Sequence, residues 1–97
     1  MLKHVVVWKL KDPRQRDAHA AEVKRALEGL RGRIPGLRAI EVGVDIRYDA
    51  QADDLVLYSE FDDKAALDRY QTDPLHLAAK TVVAQYVTGR RVVDWEA

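Results

Sequence analysis

Three histidines are the side chains of this 97-residue chain best suited to acid–base chemistry, since imidazole titrates near neutral pH. His76 closes the segment YQTDPLH, which begins at Tyr70, and His4 lies near the start of the chain. A neutral histidine can serve as a general base, and a tyrosine hydroxyl can orient a carbonyl group or stabilise a developing enolate. His19 lies among polar residues and is expected to face solvent. Tyr70 and His76 are therefore the candidate catalytic residues that the chemistry indicates.

Pro74 interrupts what is otherwise one helical segment between Tyr70 and His76. Proline lacks an amide hydrogen and disfavours helix in the residue before it, so we expect a helix end followed by a new start with Asp73 as its N-cap. His76 then lies in the first turn, where the helix dipole opposes protonation of the ring and Asp73 favours it. Six positions on a continuous helix correspond to a net rotation of about 240°, which sets the two side chains on different faces, and a break can turn them towards each other.

Structural roles remain open for all three residues. His76 can pack the break, Tyr70 can be a core aromatic with its hydroxyl at a wet edge, and His4 can be a hydrogen-bonded core residue. His4 shares a strand face with Val6 and Trp8. If helices leave that face uncovered, all three side chains line a space between two sheets, and Trp8 forms a wall for a flat or apolar ligand.

Composition excludes several kinds of site. The absence of cysteine excludes disulfides, a thiolate nucleophile and cysteine-ligated metals. The histidines show no metal-ligand spacing, and the glycines form no phosphate-binding loop. We therefore expect no metal and no cofactor.

Charge and hydropathy limit the partners in the same way. Sixteen basic residues balance sixteen acidic ones, and the pairs Arg31/Arg33 and Arg90/Arg91 are interpreted as solvated ends of elements, so no nucleic-acid partner is expected. No apolar run approaches the ~20 residues of a membrane span. The N-terminal MLKHVVVWKLKD is too charged for a signal peptide, and the predicted location is the cytoplasm.

Apolar periodicity predicts a single domain, residues 1–97, with the order strand–helix–strand–strand–helix–strand. This order is typical of the α+β ferredoxin-like fold, a four-stranded antiparallel sheet with both helices on one face. Gly43 predicts a bulge or a close approach within the second strand. The predicted strands are 3–10, 37–46, 54–61 and 90–96, and the predicted helices are 14–32 and a broken one from 62/63 to about 87.

The predicted strands carry apolar residues on both faces, whereas two helices cover only one. A second copy of the sheet is the simplest cover for the other face, so we predict a homodimer in which two sheets form an α/β barrel. The space between the sheets is then a natural place for a ligand.

Four segments resemble the Dabb family, the stress-responsive dimeric α/β-barrel domains. They span nearly the whole chain: MLKHVVVWKLKD, LRGRIPGLRAIEVGVD, DLVLYSEFDDKAALDRYQTDPLH and RRVVDWE. The resemblance implies a dimeric barrel, and most members have no assigned reaction. In one plant branch, polyketide cyclases carry out a cofactor-free aldol condensation with a tyrosine and a histidine around the helix break. The matching residues here are Tyr70, His76 and, on the first strand, His4; the family often has histidine where this chain has Asp73.

Two functions follow from the residues and the resemblance together. The first is a dimeric Dabb domain with a small-molecule cavity between sheet and helices and no assigned reaction, bordered by His4, Trp8, Tyr70 and His76. The alternative is a cofactor-independent cyclase, lyase or isomerase that acts on a small carbonyl compound, with His76 as base and Tyr70 as orienting acid. The geometry of the cavity distinguishes the two functions, because the enzyme needs Tyr70 and His76 within hydrogen-bond reach of one ligand atom.

Overall fold

The computed structural model describes all residues, 1–97. Strand β1 (Leu2–Leu10) leads through a short 3₁₀ turn (Pro13–Gln15) into helix α1 (Arg16–Glu28). Two strands follow, β2 (Leu37–Val44) and β3 (Leu55–Phe61). The remaining elements are α2 (Lys64–Thr72), α3 (Pro74–Ala84) and β4 (Val87–Glu96).

The four strands form one antiparallel sheet in the order β2-β3-β1-β4. β1 lies in the centre and pairs with β3 on one side and with β4 on the other. The predicted ferredoxin-like plan is confirmed, with three helices rather than two because the second one is divided. β2 and β4 are the edge strands.

One face of the sheet packs against the helices and forms the core. In β1 this face carries His4, Val6 and Trp8, each no more than 6% exposed, while the alternate residues are half-buried or exposed. The face with His4 is therefore the covered face, and the interpretation that places these three side chains between two sheets is wrong. They lie between the sheet and its own helices.

The break at Pro74 has the predicted form. α2 ends at Thr72, and Asp73 has an extended backbone (φ −64°, ψ 131°) that stops the helix. The Asp73 carboxylate accepts a hydrogen bond from the Leu75 amide at 2.8 Å, and Pro74 occupies the first position of α3. Asp73 thus acts as the N-cap of the helix that carries His76.

Several predicted boundaries differ from the structure. β2 ends at Val44, and Ile46 is 87% exposed rather than part of a strand face. α3 ends at Ala84, and β4 begins at Val87, before the predicted Arg90. Gly43 makes the predicted close approach, since a Cβ there would lie 2.9 Å from Val56 Cγ1.

The last strand contains a bulge that the sequence pattern did not locate. Lys9 pairs with Thr88 and Val7 pairs with Arg91, so Gly89 and Arg90 both stand opposite the single residue Trp8. Gly89 has φ +66°, the left-handed conformation that glycine adopts at such a bulge.

The second face of the sheet has no cover within the chain. It carries apolar side chains from β1, β3 and β4, among them Val93 at 63% and Trp95 at 41% exposure. None of the helices is long and apolar enough to cross a membrane.

Candidate functional site

A cavity of about 210 Å³ lies between the covered face of the sheet and the helices. Its walls come from every helix and from three strands, and they are mainly apolar. The predicted site residues His4, Val6, Trp8, Tyr70 and His76 all line it. The other lining residues are Leu27, Leu57, Gln71, Lys80, Val83, Ala84, Val87, Thr88, Gly89 and Arg90.

Tyr70 and His76 meet across the helix break. Their rings are stacked, with centroids 3.9 Å apart and planes inclined by 25°. The side chains are buried, Tyr70 at 1% and His76 at 8% exposure. Tyr70 Oη has no hydrogen-bond partner within the protein, and His76 Nδ1 makes no hydrogen bond of normal geometry, although the backbone carbonyls of Tyr70 and Gln71 lie close to its ring. Buried polar atoms are almost always paired, and of the four buried unpaired side-chain atoms in the chain only these two belong to residues that line the cavity.

Burial shifts the pKa values of the two groups in opposite directions, and both shifts favour the uncharged form. Burial raises the pKa of the Tyr70 hydroxyl to about 12, against the opposing charge of Arg90. Burial also lowers the pKa of His76, with help from the charge of Lys80, while the backbone carbonyls of Tyr70 and Gln71 oppose the shift. At neutral pH the site therefore holds a protonated phenol and an uncharged imidazole, which suit a hydrogen-bond donor and a proton acceptor.

His4 is held from two sides on the floor of the cavity. Its Nδ1 pairs with the Asp94 carboxylate from the neighbouring strand β4. Its backbone carbonyl accepts a hydrogen bond from the buried Ser59 hydroxyl at 3.2 Å. The ring lies edge-on to Tyr70, with centroids 6.4 Å apart. His4 is thus a partnered residue that touches the site.

The sequence pattern does not indicate Gln71, Lys80, Arg90 or Asp94 as residues of the site region. Arg90 had been interpreted as a solvated strand end, and the signal that could have placed it is Gly89, because glycine inside a strand often marks a bulge. Asp94 could have been found only from the pairing of β1 with β4.

His19 lies outside the site and is not simply solvent-facing as expected. It is half-buried, and its ring packs on Tyr86 with centroids 4.5 Å apart. No group of three or more His, Cys, Asp or Glu side chains in the chain is arranged to hold a metal ion.

Comparisons with known proteins agree with this architecture. A family model described as "Stress responsive A/B Barrel Domain" matches residues 2–97. No curated protein matches the chain.

Among solved structures, a dimeric ferredoxin-like protein of unknown function from Bacteroides fragilis is 33% identical, with a TM-score of 0.85, and the match covers 99% of this chain and 95% of that chain. A dimeric ferredoxin-like protein of unknown function from Thermobifida fusca is 25% identical, with a TM-score of 0.85 and coverage of 99% and 90%. An antibiotic biosynthesis monooxygenase is 23% identical, with a TM-score of 0.76 and coverage of 100% and 98%. At that identity the likeness to the monooxygenase shows the fold alone.

Proposed function

The chain belongs to the Dabb family of stress-responsive A/B barrel domains, and we propose that it is a homodimeric protein whose cavity binds a small apolar compound bearing a carbonyl group. The observation that carries this proposal is the pair of unsatisfied polar atoms, Tyr70 Oη and His76 Nδ1, beside an apolar cavity. A buried polar atom without a partner costs about 1–3 kcal/mol, and a ligand that supplies the missing hydrogen bond recovers that energy.

The size and lining of the cavity indicate the scale of the ligand. An apolar cavity of about 150 Å³ accommodates benzene, so 210 Å³ suits one aromatic ring with short substituents. The Tyr70 hydroxyl can donate to the carbonyl oxygen, and Trp8 offers an apolar wall. We therefore choose acetophenone as the first probe.

A variant that obstructs the cavity mouth tests the proposal. Ala84 is exposed and lines the cavity, so Ala84→Trp should block entry without disturbing the core. Ala78 is exposed on the same helix but does not line the cavity, which makes Ala78→Trp the matched control.

Amide chemical shifts would be followed by NMR during titration with acetophenone. We expect shifts centred on the cavity residues in the wild type and in Ala78→Trp, and none in Ala84→Trp. Equal binding by the two variants, or shifts centred on another surface, would show that the proposal is wrong.

We propose cofactor-free acid–base catalysis as the second candidate function, because the same two side chains could carry out its first step. An uncharged His76 can remove a proton from the carbon next to a carbonyl, and the Tyr70 hydroxyl can stabilise the enolate oxygen by hydrogen bonding. The C–H electron pair then becomes the enolate, and the proton resides on His76 until it is returned. Cyclases and isomerases of small carbonyl compounds begin with this step.

Deuterium exchange separates a catalyst from a binding protein. In D₂O an active site of this kind incorporates deuterium into the methyl group of acetophenone, and His76→Ala abolishes the incorporation. If the wild type binds acetophenone and exchanges it no faster than buffer does, the protein is a binding domain without this chemistry.

The homodimer is proposed from the uncovered face of the sheet. Half-buried valines of β1 and exposed side chains of β4 share that face, including Val5, Val7, Val93 and Trp95. An apolar face of this kind is typical of an interface. Relatives from Bacteroides fragilis and Thermobifida fusca are described as dimeric, which supports a second copy as the cover.

A further inference from the structure

The charged residues that line the cavity are all cations. Lys80 on α3 and Arg90 on β4 are among its lining residues, and no aspartate or glutamate is. The chain as a whole has equal numbers of acidic and basic residues, so the cationic lining is a local feature. The carboxylate of the site region, Asp94, is paired with His4. Both cations lie close to the stacked rings, since the charge of Lys80 adds to burial in lowering the pKa of His76, and the charge of Arg90 opposes the burial that raises the pKa of Tyr70.

Neither cation is used by the fold. The side chains of Lys80 and Arg90 donate no hydrogen bond and form no salt bridge within the chain. Arg91, the next residue, pairs with Asp53 on the other side of the sheet. Two adjacent arginines therefore differ: one is paired within the chain and the other is free at the cavity.

The bulge in β4 explains the difference. Arg91 stands opposite Val7 and so belongs to the uncovered face, whereas Gly89 and Arg90 share the place opposite Trp8 on the covered face. Bulges occur next to binding sites, where they re-aim a side chain. No heavy atom lies within 4 Å of a Cβ placed on Gly89, so the glycine there meets a backbone requirement and not a packing one.

From this arrangement we infer that the ligand is an anion, a small aromatic or similarly compact apolar carboxylate whose acid group faces Arg90 and Lys80. The inference rests on the proposed function, because it assigns a charge to the occupant of the same cavity. Both residues are exposed, so water solvates them when the ligand is uncharged, whereas a carboxylate forms charge-assisted hydrogen bonds with them, which are about twice as strong as neutral ones. The apolar part of the ligand then packs against Trp8 and Leu27, which line the same cavity.

A matched pair of probes isolates the charge. 3- and 4-Acetylbenzoate carry a ketone and a carboxylate on one ring, and the corresponding acetylbenzamides have nearly the same shape without the charge. Affinities would be measured by isothermal titration calorimetry or NMR titration in the full-length wild type. The variants are Arg90→Gln, Lys80→Gln and both together, with Arg91→Gln as the control, and amide NMR spectra check that each is folded.

We expect at least one acetylbenzoate to bind about tenfold more tightly than its amide in low salt, a preference that shrinks in high salt as screening increases. Arg90→Gln should weaken binding of the acid about fivefold to tenfold and change the amide less than about twofold, since exposed ion pairs are modest in strength. Lys80→Gln should act in the same direction, and Arg91→Gln should leave the ratio unchanged.

The outcomes distinguish this inference from the proposal beneath it. If the amides and acetophenone bind as tightly as the acids, or the double variant keeps the preference for the acid, the inference is overturned while the cavity remains a binding site. An equal loss in Arg91→Gln also overturns it, because the effect would then come from general charge. If no acid, amide or ketone binds, the proposed function itself is wrong.

Discussion

The rings of Tyr70 and His76 stack at a centroid distance of 3.9 Å across a break between two helices. Pro74 and the Asp73 cap create this relationship, because a continuous helix would point the two side chains in different directions. The stacking places a phenol donor and an uncharged imidazole side by side at an apolar cavity.

His76 is expected to titrate below its ordinary value of 6.5, mainly because it is buried. The unfolded chain then binds more protons than the folded one as the pH falls below that value, so the free energy of unfolding decreases from neutral to mildly acidic pH. His76→Gln removes this part of the pH dependence. NMR titration of the imidazole protons and denaturant unfolding between pH 8 and pH 5 measure the two effects.

The charge of Lys80 provides a second check on His76. Lys80→Gln should raise the titration midpoint, because one of the causes that lower the pKa is removed. Burial remains, so the midpoint should stay below 6.5. A midpoint above 6.5 in the wild type would contradict the assignment of an uncharged imidazole to this site.

Tyr70→Phe is expected to raise stability and to weaken ligand binding. Removal of a buried hydroxyl that has no partner should stabilise the protein by about 1 kcal/mol, while a carbonyl ligand loses its donor. Tyr58→Phe is the comparison variant and should show no such gain in stability, because the Tyr58 hydroxyl accepts a hydrogen bond from Lys3 at 3.0 Å and donates one to Glu60. Denaturant unfolding and acetophenone titration of both variants test this; a clear loss of stability in Tyr70→Phe would show that its hydroxyl has a structural role.

Gly89→Ala and Gly32→Ala should cost similar stability and differ in function. Gly89 has φ +66° and Gly32 has φ +75°, and a Cβ added at either position would meet no atom within 4 Å. Each substitution should therefore lower the free energy of unfolding by about 1–2 kcal/mol through backbone strain alone. Only Gly89 lines the cavity and adjoins Arg90, so only Gly89→Ala should weaken acetylbenzoate binding. Thermal unfolding measures the stability of both variants, and calorimetry measures their acetylbenzoate binding. Equal losses of binding in the two variants would show that the bulge at Gly89 has no specific role in the site.

Val93→Asp should convert the proposed dimer to a monomer, because Val93 is 63% exposed on the uncovered face beside Val5. The adjacent Val92 is 45% exposed on the opposite face of the same strand, so Val92→Asp is the matched control and should remain dimeric. Sedimentation equilibrium at micromolar concentration measures both. A wild-type monomer, or dissociation caused equally by both substitutions, would contradict the proposed interface.

The order of the elements and the helix break could be predicted from sequence because their causes are local. Alternation of apolar residues identifies β1 and β3, and helical spacing identifies α1. Asp73-Pro74 predicts the helix break without reference to the rest of the fold, because an N-cap residue is followed directly by a residue without an amide hydrogen. The resemblance to the Dabb family is confirmed by the family model, which matches residues 2–97.

The site was predicted less completely. One cavity is lined by the predicted residues Tyr70, His76, His4, Val6 and Trp8. The prediction that His4, Val6 and Trp8 lie on the uncovered face of the sheet is wrong. Alternation shows that His4, Val6 and Trp8 share a face, but it carries no information about which face the helices cover. Ile46 was similarly assigned to a strand that ends before it.

Sequence alone therefore determined the elements, their order and the two residues on either side of the helix break, because propensity, capping and periodicity act over a few neighbouring positions. Only the tertiary structure decided which sheet face is buried, that Asp94 pairs with His4, and that a bulge at Gly89 turns Arg90 towards the cavity. These depend on the pairing and packing of segments up to ninety positions apart, and no local pattern records them.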